Sequence, residues 1–311
     1  HHSKCYHLGM GKNVSKSSLA RANQDRDYHI FEEYAYYLVS EARQKCANHI
    51  FKLGGNVYAF DSTTIDLCLS VFWWAKFRKK KGGIKVHTLY DVETQIPAFF
   101  HITEASVHDS KVMIEIPYEP SSYYIFDRGY NNFKILYKIH QIEAYFVVRA
   151  KKNLGYKSIQ WKRRLPKNVL SDASVFLTGF YPKQYYPEPL RLVKYWDEEQ
   201  EREFTFITNA MHISALQVAE LYKNRWQVEL FFKWLKQHLK IKRFWGTTEN
   251  AVRIQIYAAI CAYCLVAIIQ HDMQLNRSTY EVLQILSISL TDKTHLRDLF
   301  DKTKFQNDKE R

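Results

Sequence analysis

Apolar and polar positions change their period along the chain, and each change marks a different element. From Ser18 to about residue 45 the aromatics of FEEYAYYLVSEA return at helical spacing, which predicts a helical opening. Strand-like runs then take over. VYAF (57–60) is a short apolar run that ends in Asp61. GIKVHTLYD (83–91) alternates like a half-buried strand, VETQ (92–95) reads as a turn, and IPAFFHIT (96–103) returns as the hairpin partner. YYIF (123–126) is a second apolar run ending in an acid, Asp127, and a helical NNFKILYKIHQ and a strand AYFVVRA (144–150) follow it. A hairpin meander followed by strand–helix–strand predicts a layered α/β architecture. From 151 to 202 the chain becomes polar, aromatic and turn-rich, which predicts an inserted β-rich subdomain. FTFIT (204–208) is again an apolar strand, and Ser214 to Gln217 offers a capping box for the helix expected to carry Glu229.

That helix, LYKNRWQVELFFKWLKQHLKIKRFWG (221–246), holds a single acid, Glu229, among Lys and Arg side chains. At about 100° per residue, Tyr222, Arg225, Glu229 and Lys236 fall within an arc of roughly 60°, with Lys233 and Lys240 at its edge. Aromatic and aliphatic residues cover most of the rest. An ordinary surface helix has the opposite balance. The pattern predicts a helix buried on several sides, with its charged stripe facing a cleft or ligand. A plainer reading stands beside it: Arg225 and Lys233 lie four residues either side of Glu229, the spacing of helix-surface ion pairs.

Composition narrows the choice. The 311 residues are 46% hydrophobic and 15% aromatic, enough for a large core in one or two domains and against general disorder. A formal charge of +13 points to a polyanionic partner, most simply nucleic acid. The five cysteines make no disulfide framework: Cys5, Cys46 and Cys68 are isolated, and Cys261 and Cys264 form a lone CAYC. They are expected to be buried, reduced thiols of a cytosolic protein. AVRIQIYAAICAYCLVAIIQ (251–270) contains Arg253 and Gln255 and reads as a core helix rather than a membrane span.

Three acids stand out by context: Asp61 and Asp127 at the ends of apolar strand runs, and Glu229 on the charged stripe. Hard divalent cations take oxygen ligands, so these three suit Mg²⁺, with Mn²⁺ substituting. Three carboxylates can hold two ions, one activating a water or 3′-hydroxyl and the other stabilising the leaving oxygen. The cations around Glu229, Lys233 among them, would neutralise DNA phosphates. Asp66 competes with Asp61 for the role. His108-Asp109 reads as a loop beside the site, His87 as a packing or site-facing residue, and Asp91 as a turn residue. KFRKKKGGIK (76–85) reads as a basic loop able to meet phosphates.

The spacing Y-x2-R-x3-E-x6-K of Tyr222, Arg225, Glu229 and Lys236 resembles the YREK signature of bacterial insertion-sequence DDE transposases. FDSTTIDL, KGGIKVHTLYD, ITEASVHDSK, IFDRGY, GTTENAVRIQIYAAICAYCLVAII and STYEVLQILSISLTDKTHLRDLF resemble other blocks of that family, in order, from about residue 10 to 300. The resemblance implies an RNase H-like mixed sheet flanked by helices, with a β-rich insertion and helical N- and C-terminal parts. The divisions are then a helical remnant of a DNA-binding domain (1–50), a catalytic core (51–150 with 203–270), the insertion (151–202) and a helical C-terminal region (271–311). It further implies Mg²⁺-dependent cleavage and strand transfer in cut-and-paste transposition. The implied partners are terminal inverted repeats, target DNA and a second copy in a synaptic dimer. Asp61, Asp127 and Glu229 would be metal ligands; Tyr222, Arg225 and Lys236 would touch phosphates near the cleaved end. The further upstream helical stretch usual in the family is absent or cut short here, so end-specific binding is the least supported expectation. A nuclease without strand transfer and a non-catalytic DNA-binding derivative are the alternatives.

Overall fold

The computed structural model describes residues 14–47, 51–78, 81–238, 244–289 and 294–302. Packing divides the chain into two units. One comprises His1–Ala47, Ser70–Trp74 and Lys233–Arg311; the other comprises Asn48–Leu69 and Ala75–Phe232.

The second unit is built on a ten-stranded sheet. β1 (Val57–Leu67) lies between β3 (Lys81–Asp91), antiparallel, and β5 (Tyr123–Phe126), parallel. The short β2 (Lys76–Arg78) and β4 (Ile96–Glu104) both pair with β3. From β5 the chain passes through α4 (Phe133–Gln141) to β6 (Tyr145–Arg149), which pairs parallel with β5. α4 is capped by Asn132, whose side chain accepts from the Ile135 N–H, and it buries Phe133, Ile135, Leu136 and Ile139. The large core cluster joins these residues to Tyr58, Phe60, Tyr124, Phe126, Phe146 and Val148. Because strand side chains alternate, the even-numbered positions of β1 and β5 fill this core, leaving Asp61 and Asp127 to the other face. This mixed α/β sheet flanked by helices is consistent with an RNase H-like fold.

Gly55 fixes the entry to β1. A Cβ there would stand 2.0 Å from the Ser121 carbonyl oxygen, so only glycine lets the chain run against the start of β5.

The stretch expected as an insertion carries β7 (Tyr156–Trp161), β8 (Val169–Leu177), a short α5 (Phe180–Tyr185) and β9 (Leu190–Asp197). These strands do not form a separate sheet. β9 pairs with β10 (Arg202–Thr208), which pairs with β6, so the core sheet continues outward to β7. Inside it, Arg191 donates to both oxygens of Asp172 (2.7 and 2.8 Å) and to the carbonyls of Ala210 and Ile213.

The basic run 76–85 is not simply a loop: β2 and β3 occupy most of it, and residues 79 and 80 lie outside the described part. The capping box was expected to start the helix bearing Glu229. Instead Ser214 and Gln217 cap α6 (Ala215–Lys223), a helix of its own, and Glu229 lies on α7 (Trp226–His238). Between them the backbone tightens to i→i−3 bonds, Arg225 N–H to Tyr222 and Gln227 N–H to Asn224. Asn224 explains the break: its side chain amide donates to the Glu220 carbonyl, and its oxygen accepts from Gln227.

The first unit is helical. α1 (Lys16–Asp25), α2 (His29–Lys45) and α8 (Glu249–Asp272) are tied by Asn250, whose amide donates to the Asn23 and Arg26 carbonyls and accepts from Tyr28 N–H. Tyr257 donates to Glu32, and Lys45 pairs with Asp272. Trp74 donates to the Thr247 carbonyl, which attaches residues 70–74 to these helices. α9 (Thr279–Ser289) and α10 (Leu296–Lys302) add a small cluster of Val266, Val282 and Phe300. The sequence division had placed 203–270 with the sheet; packing places the chain from Lys233 onward with the N-terminal helices. α8 is long and apolar enough to cross a membrane by length and composition, yet 56% of its most apolar window is buried inside the fold. The cysteines depart from expectation too. Cys261 and Cys264 are buried, but Cys46 is half-buried and Cys68 exposed, and Cys5 lies outside the described residues.

Arg191→Met would leave the buried Asp172 carboxylate with Lys162, at 3.1 Å, as its remaining cation and would strand the carbonyls of Ala210 and Ile213. It should cost about 3–5 kcal/mol, read as a lowered urea midpoint at pH 7. A cost near zero would mean that the pair does not hold the insertion.

Candidate functional site

The parallel pairing of β1 with β5 matches Phe60 to Phe126, so Asp61 and Asp127 follow side by side at the same end of neighbouring strands. Asp61 does not end its strand, as the apolar run had implied. β1 continues to Leu67 along β3, and Asp61 is the first residue past its pairing with β5. Asp66, five residues on, points to the opposite face and is exposed.

α6 and the start of α7 bring three further groups to these acids. The Tyr222 hydroxyl donates to Asp127 at 3.0 Å. Arg225, at the break between the helices, donates to Asp61 at 2.7 Å and to Glu229 at 2.5 Å. One guanidinium therefore bridges a strand acid and the helix acid. Glu229 does make the (i, i−4) ion pair of the plainer reading, and the same arginine ties it to Asp61. The site is graded in burial: side-chain exposure is 16% for Arg225, 22% for Asp61 and 55% for Glu229.

Electrostatics follow from this geometry. Burial raises the Asp61 carboxyl above the usual range; Arg225 and the Ser62 N–H oppose it, and Glu229 and Asp127 push it further up. Burial works against the Arg225 charge, but Asp61, Tyr222 and Glu229 outweigh it and hold the guanidinium protonated. Burial, then Asp127, pushes the Tyr222 hydroxyl up to about 12, so it remains a donor. Among the described residues, no three His, Cys, Asp or Glu side chains form a group that could hold a metal ion. The Arg225 guanidinium itself stands between Asp61 and Glu229.

Tyr222 and Arg225 were expected to hold phosphates; both instead spend hydrogen bonds on the acids. Lys233 and Lys236 follow Glu229 on α7, four and seven residues on, while Lys240 lies outside the described residues.

Behind Asp61 is a polar network that sequence reading only touched. The Ser62 hydroxyl donates to Asp109 at 2.8 Å, and Lys85 pairs with Asp109 at 3.1 Å while donating to the Val107 carbonyl. The Tyr130 hydroxyl reaches Asp61 at 3.4 Å. His108 caps the short α3 (Asp109–Val112). Asp91 does turn the hairpin, accepting from the Glu93 and Thr94 N–H groups. His87, fully buried, hydrogen-bonds Thr103 and lies 3.8 Å from Asp109, and its Nδ1 has no hydrogen-bond partner. The available signal for this network was period two: Lys85 and His87 share a face of β3.

The sequence is similar to those of known proteins. The family described as "Transposase DDE domain" matches residues 52–265. The chain belongs to the DDE transposases of bacterial insertion sequences. A putative transposase, y4zB, of Sinorhizobium fredii is 37% identical over 246 residues, covering 77% of this chain and 67% of the relative. A probable transposase for insertion sequence element IS5377 of Geobacillus stearothermophilus is 27% identical, covering 80% and 66%. A putative transposase for element IS4SA of a Synechocystis species is 25% identical, covering 91% and 80%. The chain thus spans about two thirds of the length of the first two relatives. As a transposase it is an enzyme that acts on DNA, and the DDE domain implies divalent metal in general.

His87 gives a pH test of the network. Burial lowers its pKa from 6.5 to about 4, against the partial help of Asp109. The unfolded chain therefore takes the proton first: stability is full above pH 6.5 and falls as pH drops toward 4, by about 3 kcal/mol in all. Urea midpoints at pH 7 and 4.5 should differ less in His87→Gln than in the wild type. Equal differences would refute the buried neutral imidazole.

Proposed function

We infer that this transposase cleaves DNA at insertion-sequence ends with Mg²⁺, Mn²⁺ substituting, and joins the freed strand to target DNA. It acts as a homodimer bound to terminal inverted repeats in the bacterial cytoplasm. The observation that carries the reading is that Asp61 and Asp127 follow side by side on paired parallel strands, while one cation, Arg225, ties Asp61 to Glu229, so that the three acids gather at one place. Their donor set is oxygen alone, the chemistry hard divalent cations require, and the guanidinium bridging Asp61 to Glu229 is a stand-in for such charge. The three acids fit the metal once Arg225 withdraws.

Metal held by these acids would supply a polarised oxygen nucleophile and charge compensation at the leaving oxygen. The rest falls to the chain. Tyr222 orients the Asp127 carboxylate through its hydrogen bond. Arg225, released when its carboxylates are otherwise compensated, offers a planar fork suited to a phosphate. Lys233 and Lys236 extend the cationic stripe along α7 and hold the backbone of the same DNA.

Nicking of supercoiled plasmid with Mg²⁺ against EDTA tests the chemistry, and a donor-to-target joining assay separates transposition from plain nuclease action. Asp61→Asn, Asp127→Asn and Glu229→Gln should each lower nicking by about 10²-fold or more while DNA affinity persists. A Glu229→Gln protein that nicks near the wild-type rate would sink the assignment.

A second test needs no DNA. Mg²⁺ or Mn²⁺ should raise the wild-type Tm by mass action, and the rise should disappear in Asp61→Asn/Glu229→Gln. Arg225→Gln should melt lower than wild type without metal and gain more from it. An Arg225→Gln protein with an unchanged metal response would refute competition between the guanidinium and the cation.

A further inference from the structure

At Asp61, β1 loses the neighbour that placed it. Pairing with β5 ends at Phe60, and from Asp61 to Leu67 the strand pairs with β3 alone among the described residues. Ser62, Thr63 and Thr64 follow, and none of them brings a large apolar side chain to pin this stretch to the core. A metal ligand nevertheless has to be fixed to within about 0.5 Å of its working position. Contacts other than apolar packing must hold the strand here.

Asp109 supplies them. Its Oδ1 accepts from the Ser62 hydroxyl at 2.8 Å and stands 3.1 Å from Lys85 Nζ and 3.8 Å from His87 Nδ1. Ser62 in turn donates its backbone N–H to the Asp61 carboxylate at 2.8 Å. One residue thus passes the position of Asp109 on to Asp61. Asp109 is itself tied down. Lys85 also donates to the Val107 carbonyl at 2.8 Å, so a single ammonium joins β3 to the loop before α3 and to the first residue of α3. In the β1–β3 register Ser62 lies opposite His87 and Thr64 opposite Lys85, which sets all four on one face of the sheet. Tyr130 adds a contact to Asp61 itself, its hydroxyl reaching the carboxylate at 3.4 Å. Burial, then Asp61 and Asp109, pushes that hydroxyl far up, so it stays a donor. The same contacts argue against Asp109 as a further ligand, because its Oδ1 is already taken by an ammonium and a hydroxyl.

We propose that Asp109 is a positioning residue for Asp61: through Ser62 it fixes the carboxylate that the metal must meet. The role rests on the metal reading of Asp61 and deepens it. Lys85, although it belongs to the basic run 76–85, spends its charge on this support.

The test measures Tm without DNA while Mg²⁺, and separately Mn²⁺, is titrated into wild type, Asp109→Ala, Asp109→Asn and Ser62→Ala. Losing a partner that orients a metal ligand costs about 10- to 100-fold in metal affinity. Asp109→Ala and Ser62→Ala should therefore need that much more cation for the half-maximal rise in Tm. Each contact on the Asp109 side chain falls on Oδ1, which an amide oxygen can replace, so Asp109→Asn should stay closer to wild type than Asp109→Ala. Nicking measured against Mg²⁺ should shift to higher cation in the same order, with DNA affinity in EDTA unchanged. A residue that supports the fold alone predicts a lower starting Tm with the same cation midpoint in all four proteins, and that result overturns the proposal. Ser62→Ala removes one hydroxyl from a strand still paired along β3, so it carries the comparison if Asp109→Ala does not fold. A wild-type Tm that ignores both cations overturns the metal reading and the positioning role together. A wild-type response that Asp61→Asn abolishes but Asp109→Ala and Ser62→Ala leave unmoved overturns the positioning role alone.

Discussion

Everything at the site depends on four matched residue pairs between two parallel strands. β1 and β5 are joined only from Val57 to Phe60 and Tyr123 to Phe126, yet that register puts two carboxylates abreast at the strand ends. A slip of one residue would turn one of the acids into the core built on Tyr58, Phe60, Tyr124 and Phe126, where charge is untenable. The core therefore enforces the register, and the register places the acids. Gly55 secures the same alignment from the other end, because no side chain fits between it and Ser121.

The helical side of the site is less rigidly specified. Arg225 sits where α6 gives way to α7, in a stretch of tightened backbone rather than in a regular helix. A regular continuation would have rotated it with the stripe. The break lets one guanidinium span from the sheet to the helix and bond acids 164 and four residues away in sequence. Packing on this face is aromatic, with Phe231 against Tyr90 and Phe100, which anchors the first turns of α7 to the sheet.

Much of this was legible in the sequence, for physical reasons that can be named. The hairpin of β3 and β4, the strand YYIF and the following α4 were readable because apolar periodicity and turn residues agree there. That Asp61 and Asp127 would lie abreast was readable because each follows a short apolar strand run. The full length of β1 was not readable: Asp61-Ser-Thr-Thr breaks the apolar run, although antiparallel pairing with β3 continues through it. The end of α6 was hidden because Asn224 acts through its side chain, while the apolar spacing runs on unbroken. The network of Ser62, Lys85, His87 and Asp109 escaped because its members meet only when β1, β3 and α3 are folded together.

From the acids the sheet runs outward to β7, on whose outer side no strand pairs among the described residues. A bare edge of this kind is a template on which another chain's strand can grow, and Tyr156, Ile159 and Trp161 are exposed along it. Two features blunt it: the pairing with β8 shifts register between Ser158 and Gln160, and Lys157 sets a charge in the row. Unpaired backbone groups on an irregular, charged ribbon do not present the even ladder that self-assembly into fibres needs. The extended sheet thus keeps its length without inviting further strands.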